Sequence, residues 1–372
     1  MSENVHRGLV GVVADTTEIS DVDPDHNLLL YRGYPAPELA EHRSFLETAF
    51  LLWTGELPDA DELAAFTARE RALRHIDPAL ESMLLSLPHT SHPMDVLRTA
   101  VSRLGATDPA TGDASPESSR EKGLRLLAVL PTIVALDQRR RRGLDPIPPR
   151  DDLGRSENFF HMAFGAVPED DVVRAFEISM VLFAEHSFNA STFAARVATS
   201  TRSDLYSAVV AGTSALKGAL HGGANQAVME QFAEIGDPDA VDDWLTARLE
   251  AGDKVMGFGH RVYKRGDSRV PLLHAQLRRV AELRGGRDLM AFYEVLAGAM
   301  LRDKGLRPNL DYAAGPLYHL MGFDTPMFTP LFVLARIAGW TAHVVEQASE
   351  NVLIRPIARY EGKARREVSA VH

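Results

Sequence analysis

The sequence contains no cysteine, and this absence excludes several kinds of chemistry at once. A disulfide framework, a cysteine nucleophile and a thiolate metal site all require that residue. The chain of 372 residues is long enough to bury a large core, as one big domain or two unequal ones. It shows no repeat with a period of roughly 20–50 residues, which argues against a solenoid. We therefore expect a globular protein, and the lack of cysteine fits a cytoplasmic enzyme.

The sequence also has fewer basic than acidic residues, and its longest apolar window is interrupted by polar residues. Lys and Arg number 40 against 51 Asp and Glu, for a formal net charge of -11, which argues against a general nucleic-acid binder. The N-terminus lacks the apolar stretch of a signal peptide. The most apolar window, residues 327–345, is interrupted by Arg336, His343 and a proline, whereas a bilayer span needs roughly 20 apolar residues. We expect no membrane segment.

Several familiar motifs are missing as well. The sequence has no G-x-x-x-x-G-K-[ST] and no H-E-x-x-H, so nucleotide hydrolysis and zincin chemistry lose their simplest support. The loop Gly257-Phe-Gly-His-Arg-Val262 has two glycines of a dinucleotide fingerprint, but Val262 stands at the third glycine position. No strand-turn-helix pattern surrounds this loop, which argues against a Rossmann site.

What the sequence does contain is an almost unbroken succession of helical signals after residue 34. Ser44-Phe-Leu-Glu47 is a capping box before an apolar run that Gly55 ends. Residues 8–34 instead mix β-branched residues with Asp, Pro and Gly, which is typical of short strands and turns. This pattern predicts a mainly α fold rather than a parallel-sheet α/β fold. Other predicted helices cover residues 59–75, 93–104 and 121–141, with exposed loops at 108–119 and 143–154.

Two later segments, 189–200 and 208–219, are dominated by Ala, Ser, Thr, Gly and Val. Small residues let helices approach closely, which suits a tightly packed centre or a subunit interface. Ordinary core helices are an equally good interpretation of the composition.

One loop concentrates positive charge in this acidic chain. Residues 256–269 contain two glycines, His260 and four cations, namely Arg261, Lys264, Arg265 and Arg269. Glycines let the backbone turn sharply and approach a ligand. The combination predicts a pocket for an anion around one histidine.

Two more histidines have polar or glycine neighbours. His186 follows an apolar run and precedes Asn189 and Ser191, and His221 precedes two glycines. Asp311 lies between Leu310 and Tyr312. An apolar setting raises the pKa of a carboxyl and favours work as a general base, although a helix cap or a turn would also explain an aspartate here.

Arg336 lies within the otherwise apolar segment 332–345 and is followed by Arg355 further along the chain. An arginine among such neighbours requires an anionic partner. That partner is either a carboxylate of the substrate, which fits the planar guanidinium in a bidentate manner, or a structural salt bridge.

Five motifs occur in order along the chain, namely His221-Gly-Gly-Ala-Asn, Gly257-Phe-Gly-His-Arg-Val-Tyr, Asn309-Leu-Asp-Tyr, Arg336-Ile-Ala-Gly-Trp-Thr-Ala-His and Ile354-Arg-Pro. Together they resemble the citrate synthase family, and the resemblance covers nearly the whole chain. Residues 92–100 and Gly266-Asp-Ser-Arg-Val-Pro are most similar to the branch of the family that forms 2-methylcitrate. Ordinary citrate synthases more often have Asp-Pro-Arg where this chain has Asp267-Ser-Arg269.

The resemblance implies a mainly α, two-domain fold. Its large domain would comprise residues 1–222 and 323–372, with a smaller helical domain inserted at 223–322. It also implies a homodimer with active sites in the clefts between domains. The implied reaction condenses propionyl-CoA or acetyl-CoA with oxaloacetate and then hydrolyses the thioester. Neither a metal nor another cofactor is expected.

The resemblance also implies a role for each matching residue. Asp311 would take the α-proton of the acyl-CoA, His221 would hydrogen-bond the thioester oxygen, and His260 would polarise the ketone of oxaloacetate. The oxaloacetate carboxylates would be held by His186, Arg269, Arg336 and, from the partner subunit, Arg355. CoA would meet Gly257, Gly259 and Lys264, and supporting positions would be Asn189, Ser191 and Asn309. No role is implied for Arg261 or Arg265.

One departure bears on the acyl group. Family members often have an aromatic residue and a serine where this chain has Ala313 and Ala314, beside the proposed base. The smaller side chains would leave room for the additional methyl of propionyl-CoA. A citrate synthase with relaxed acyl specificity remains the nearest alternative. More distant ones are a non-catalytic relative that binds or regulates, and a metal-dependent hydrolase built on the histidines.

Overall fold

The computed structural model describes residues 5–23, 25–259, 263 and 266–368. Three short strands near the N-terminus form an antiparallel sheet in the order β1 (Ser20–Asp23), β2 (Leu28–Tyr31) and β3 (Tyr34–Pro35). Almost everything after them is helical, which confirms the predicted mainly α fold. The helices of the described residues are α1 (Ala36–His42), α2 (Phe45–Thr54), α3 (Ala60–Ala72), α4 (Pro78–Ser86), α5 (Pro93–Thr107), α6 (Pro116–Arg141), α7 (Arg155–Phe164), α8 (Asp170–Phe183), α9 (Ala190–Ser200), α10 (Leu205–Leu216), α11 (Ala224–Ile235), α12 (Val241–Ala251), α13 (Val270–Arg284), α14 (Arg287–Lys304), α15 (Leu310–Leu320) and α16 (Phe328–Ser349).

The start of α2 follows its local sequence closely. Ser44 Oγ accepts from the Glu47 amide, and the Glu47 carboxylate accepts from the Ser44 amide. Gly55 ends the helix in the left-handed region, at φ 96°, where only glycine is unstrained. Both predicted signals are confirmed.

The start of α6 was predicted wrongly. The helix begins at Pro116, five residues before the expected 121 (121 minus 116), so the loop predicted at 108–119 ends early. The reason is a cap inside the Ser- and Pro-rich stretch. Ser115 accepts from the Ser118 amide, and proline at the first helical position needs no hydrogen-bond acceptor.

Helix α16 forms the centre of the core and packs against α2, α6, α8, α9 and α10. Its 22 residues run without a break through Arg336 and His343, so the predicted apolar segment 332–345 lies within one helix. By length and composition the stretch Thr325–Ser349 could cross a membrane, but its apolar window is entirely buried inside the protein. It is therefore placed as the core helix of a globular protein. Pro330 is tolerated because it lies in the first turn.

Small residues do bring helices close together around α16. A Cβ added to Gly212 of α10 would lie 3.0 Å from the Trp340 ring, and one added to Gly123 of α6 would lie 2.3 Å from Thr341. The close approach predicted for residues 208–219 is thus confirmed for α10, and α9 packs against both α10 and α16.

The segment between α10 and α16 carries a second group of packed helices. Helix α15 packs against α11 and α13, and α14 packs against α12 and α13. Helix α13 also contacts α8, the helix that leads to His186. The predicted site residues therefore approach one another from both groups of helices.

Candidate active site

Asp311 lies in the first turn of α15, where no solvent reaches its carboxyl oxygen Oδ1. Its amide donates to Oδ1 of Asn309, the N-cap residue, at 3.1 Å, so Asn309 and not Asp311 caps the helix. Within the described chain, Asp311 Oδ1 is buried without a hydrogen-bond partner. Burial raises the pKa of this carboxyl to about 7, against the opposing charges of Arg269 and Arg336. The alternative of an ordinary cap is therefore wrong for Asp311.

His221 lies between α10 and α11, and its ring is held by Ser191. The Ser191 amide donates to His221 Nε2 at 3.2 Å, and Ser191 Oγ lies 2.8 Å from the same nitrogen. Because an amide only donates, Nε2 carries the lone pair and the proton resides on Nδ1. Burial, reinforced by Arg336, lowers the pKa of His221 to about 4. The residue is thus a neutral imidazole that offers an Nδ1–H donor.

Asn189 and Ser191 support this histidine from the start of α9. Asn189 Oδ1 caps the helix by accepting from the Ser191 and Thr192 amides, both at 3.1 Å. The Trp340 indole donates to Ser191 Oγ at 3.2 Å. The polar positions predicted as supporting therefore do contact the His221 side chain or the residue that holds it.

Arg336 projects from the buried face of α16 and is only 2% exposed. Its Nε donates to the Phe183 carbonyl at 2.9 Å, and its guanidinium lies 4.7 Å from the centre of the Phe332 ring. No carboxylate of the described residues forms an ion pair with it, and its Nη1 is buried without a partner. The structural salt bridge considered above is therefore absent from the described chain, and the guanidinium is available to an anionic ligand.

Arg269 differs from Arg336 because it already has a carboxylate partner. Asp267 accepts from Arg269 Nε at 2.9 Å and from Nη2 at 2.6 Å, while Nη1 donates to the Leu182 carbonyl at 3.2 Å. Arg269 is 5% exposed, and its charge acts on the pKa of Asp311. The structure thus brings Arg269 to the same buried region, with a carboxylate beside it that the sequence did not predict.

His186 follows α8 and reaches the same region from the other group of helices. Its ring meets the Tyr263 ring edge-on, with the ring centres 5.7 Å apart. Tyr263 belongs to the loop 256–269, and burial raises its pKa to about 12. This contact joins His186 to the loop that was predicted to bind an anion.

The glycine loop is fastened to the chain segment just before Asp311. The Asn309 amide donates to the Gly257 carbonyl at 2.9 Å, and Asn309 Nδ2 donates to the Gly259 carbonyl at 3.1 Å. Gly257 has φ 87°, and an added Cβ would lie 2.7 Å from the Tyr312 ring. A cavity of about 160 Å³ lies here, lined on one side by residues 305–309 and on the other by Gly259, Tyr263, Gly266 and Asp267.

This cavity includes residues that the sequence analysis missed. Leu306 and Arg307 line it beside Gly259, and the Gly259 amide donates to the Arg307 carbonyl at 3.0 Å. The only available signal was their position just before Pro308-Asn309. Glu185 and His343 were also missed, although Glu185 directly precedes His186 and His343 ends the motif that begins at Arg336.

Some predicted residues are not brought into the site. His260 and Lys264, together with Arg261 and Arg265, lie outside the described residues, so their predicted roles stay predictions. Arg355 is exposed in the irregular segment that follows α16. Within the described chain, no hydrogen bond or ion pair joins it to the other site residues.

Together these groups can perform one kind of chemistry. A buried carboxyl with a pKa near neutrality can take a weakly acidic proton, and a neutral imidazole N–H can stabilise the oxygen that becomes negative. The buried guanidinium of Arg336 can hold a carboxylate of a second reactant.

Comparison with known proteins gives a consistent result. The family model described as "Citrate synthase, C-terminal domain" matches residues 8–357. A protein of Mycobacterium tuberculosis (strain ATCC 25618 / H37Rv) named "2-methylcitrate synthase" is 57% identical over 98% of this chain and 92% of its own length. A protein of Mycolicibacterium smegmatis named "Citrate synthase" is 56% identical over 98% of this chain and 97% of its own length.

Solved structures are similar over the whole chain. Citrate synthase from Thermotoga maritima is 39% identical with a TM-score of 0.89, and the match covers 99% of this chain and 98% of that one. A ternary complex of citrate synthase from Thermoplasma acidophilum with carboxymethyl coenzyme A and oxaloacetate is 30% identical with a TM-score of 0.94. That match covers 100% of this chain and 99% of the other.

Proposed function

Because this chain belongs to the citrate synthase family, we propose that it condenses propionyl-CoA with oxaloacetate and hydrolyses the product to 2-methylcitrate and CoA. It is a condensing acyltransferase, which converts the acyl group into an alkyl group on transfer. The observation that carries the proposal is the pair of Asp311, a buried carboxyl with a pKa of about 7, and His221, a neutral Nδ1–H donor. An enolisation needs a base that takes the α-proton and a hydrogen-bond donor to the oxygen that becomes negative.

The proposed reaction begins at the α-carbon of the acyl-CoA. Asp311, as carboxylate, takes an α-proton, and the C–H electrons form the enol or enolate, whose oxygen accepts from His221 Nδ1–H. The α-carbon then attacks the ketone carbon of oxaloacetate and forms the new C–C bond. The π electrons of the ketone C=O bond move to its oxygen, which His260 polarises and to which it gives a proton, so that a tertiary hydroxyl results. Water finally cleaves the thioester and releases CoA.

Oxaloacetate is held in this proposal by groups of opposite charge. The free Nη1 of Arg336 is the best placed, since the described chain gives it no partner. Arg269 contributes through its positive charge and must share its guanidinium with Asp267. His186 completes the set from the end of α8. The Thermoplasma acidophilum complex contains oxaloacetate, which supports this choice of ligand.

The CoA moiety is proposed to follow the glycine loop. Gly259 lines the cavity near Arg307, Gly257 lies two residues before it, and Lys264 would meet a phosphate. Residues 223–322 would form the small domain and residues 1–222 with 323–372 the large one. Closure of the cleft between them would exclude water until condensation is complete.

Neither a metal nor another cofactor is proposed, because hydrogen-bond donors take the place of a Lewis acid. We also propose a cytoplasmic location.

Acyl preference is proposed to depend on α15. Ala314 lies three residues after Asp311 and therefore on the same helix face, whereas Ala313 lies on another face. Both are fully buried. An alanine here, in place of the serine that family members often have, would leave room for the additional methyl of propionyl-CoA, and one methyl is worth roughly 1–3 kcal/mol of discrimination.

We expect kcat/KM to be about tenfold or more higher with propionyl-CoA than with acetyl-CoA. Ala314→Ser should lower this ratio, because it fills the space beside the base, and Ala313→Ser serves as the matched control that leaves the ratio unchanged. Both rates are measured from CoA release at saturating oxaloacetate. A preference of the native enzyme for acetyl-CoA would instead favour citrate synthase, the name of the relative from Mycolicibacterium smegmatis.

We also propose a homodimer in which Arg355 completes the partner's site. Its exposed position in the segment after α16 supports this, because a side chain buried in its own subunit could not be shared.

Hybrid dimers test the sharing directly. Arg355→Ala and Asp311→Asn subunits are each expected to be nearly inactive at low oxaloacetate. A hybrid of the two contains one site with both native residues, so an equal random mixture should regain about a quarter of native activity (one half of dimers, one half of their sites). No recovery in dimers shown to be hybrid by mass spectrometry would mean that each subunit uses its own Arg355.

A further inference from the structure

A cluster of buried charged and polar side chains lies next to Arg336 and has no part in the proposed chemistry. Glu185 and His343 are completely buried, and Arg196 is 2% exposed. These three residues, called here the Glu185 cluster, come from the end of α8, from α16 and from α9. Because burial of a charged group costs free energy, such groups are buried only where they have ionic or hydrogen-bond partners or a role in function.

The direction of each hydrogen bond in the Glu185 cluster is determined. Arg196 Nη1 lies 3.0 Å from His343 Nδ1, and a guanidinium only donates, so Nδ1 is the acceptor. The remaining ring proton is therefore on Nε2, which donates to Glu185 Oε1 at 2.9 Å. Ser20 Oγ donates to the same oxygen at 3.0 Å. Glu185 Oε1 is thus fully engaged by neutral donors.

The second oxygen of Glu185 is placed differently. Within the described chain, Glu185 Oε2 is buried without a hydrogen-bond partner, as is Arg336 Nη1. A Cβ on Gly339 would lie 2.1 Å from this oxygen, so only glycine at that position of α16 lets the carboxylate lie here. Gly339 is three residues from Arg336 and shares its side of the helix.

The two charges act on each other without forming an ion pair. Burial raises the pKa of Glu185, but the hydrogen bonds from His343 and Ser20 and the positive charge of Arg336 lower it, which favours the ionised carboxylate. Burial lowers the pKa of Arg336 to about 10, and Glu185 is the strongest attraction that opposes this effect. Their nitrogen and oxygen atoms remain beyond the 4.0 Å of a salt bridge.

We propose that Glu185 is a positioning residue for substrate binding, a fixed counter-charge that holds the Arg336 guanidinium in place while leaving Nη1 free for a carboxylate of the substrate. The proposal rests on the proposed function in that Arg336 binds oxaloacetate. Arg269 shows the contrast, since Asp267 pairs directly with its Nε and Nη2. Arg196 and His343 hold the Glu185 carboxylate where it attracts Arg336 without occupying its hydrogen-bond donors.

Glu185→Gln removes the charge and preserves the shape. We expect KM for oxaloacetate to rise about tenfold, with kcat and KM for the acyl-CoA within about threefold of native, as for coupled groups in one buried network. Ser20→Ala removes a hydrogen bond to Oε1 without changing charge and should leave KM for oxaloacetate unchanged. An unchanged or lower KM for oxaloacetate in Glu185→Gln would overturn the proposal.

Two further variants separate the possible failures. Glu185→Asp keeps the charge and should retain a lower KM for oxaloacetate than Glu185→Gln, and equal values in these two variants would contradict a role for charge. In an Arg336→Lys background, Glu185→Gln should add no further increase. If Arg336→Lys alone leaves KM for oxaloacetate unaltered, Arg336 does not bind the substrate. If Arg336→Lys raises this KM but the Glu185 variants leave it unaltered, Glu185 does not position Arg336. Thermal unfolding checks that each variant is folded.

Discussion

Asp311→Asn is expected to lower kcat by about three orders of magnitude, while oxaloacetate still binds with close to native affinity. The asparagine amide has the shape of the carboxyl group but cannot take a proton, and general-base catalysis is worth roughly 10²–10⁴ in rate. Oxaloacetate binding should persist because its proposed ligands are Arg336, Arg269 and His186. Steady-state kinetics gives kcat, and calorimetric titration gives the Kd for oxaloacetate.

A matched control is available on the surface. Asp303 is paired with Arg302 at an exposed site, so Asp303→Asn should retain native kcat. If Asp311→Asn kept more than about a tenth of native kcat, Asp311 would not be the base. A loss of oxaloacetate binding together with activity would indicate that the carboxyl instead organises the site.

The pH dependence of the native enzyme follows from the same residue. Burial raises the pKa of Asp311 from 3.8 to about 7, so the carboxyl is protonated below that pH and cannot act as a base. We expect kcat/KM for the acyl-CoA to increase with pH up to about 7 and then to level off. His221, with a pKa of about 4, stays neutral over this range and adds no step of its own.

The raised pKa also has a consequence for stability. The folded state binds the Asp311 proton more tightly than the unfolded state, so this residue's contribution to the free energy of unfolding falls as the pH rises from about 4 to about 7. Asp311→Asn should therefore be more stable than the native protein above pH 7, provided the amide is accommodated. A higher Tm combined with lost turnover would distinguish a functional group from a structural one.

His221→Ala is expected to lower kcat by about 10²–10³, the usual cost of losing one oxyanion donor. The Ser191 amide fixes the proton on Nδ1, so the lost group is a neutral N–H and not a charge. His221→Asn is the matched variant, because the asparagine amide nitrogen can occupy the place of Nδ1. It should recover part of the lost kcat, with KM for oxaloacetate unchanged in both variants.

A kcat within about tenfold of native for His221→Ala would contradict the assignment. So would equal losses in the alanine and asparagine variants, because the donor at Nδ1 would then be irrelevant. Both effects are larger than the tenfold change expected for Glu185→Gln, since Asp311 and His221 would contact the reacting atoms and Glu185 would act through Arg336.

Local sequence was sufficient for the features that depend on neighbouring residues. The capping box of Ser44 and Glu47, the stop at Gly55 and the mainly α composition all involve hydrogen bonds within about one helical turn. The start of α6, which was predicted wrongly, also depends on local sequence, because the cap Ser115 and the first helical residue Pro116 are adjacent in the chain. The family motifs likewise identified His221, Asp311 and Arg336, because those residues occur in short stretches of distinctive order.

Only the tertiary structure decided the state of those residues. The proton position on His221 depends on Ser191, 30 residues away, and the orientation of Glu185 depends on His343, 158 residues away. The pKa of Asp311 reflects the desolvation of its carboxyl group, whose Oδ1 is buried, and no neighbouring pair of residues determines this. Sequence therefore indicated which groups are present. Protonation state, available hydrogen-bond donors and counter-charges were decided by packing, because burial and Coulomb interactions depend on distance in space and not along the chain.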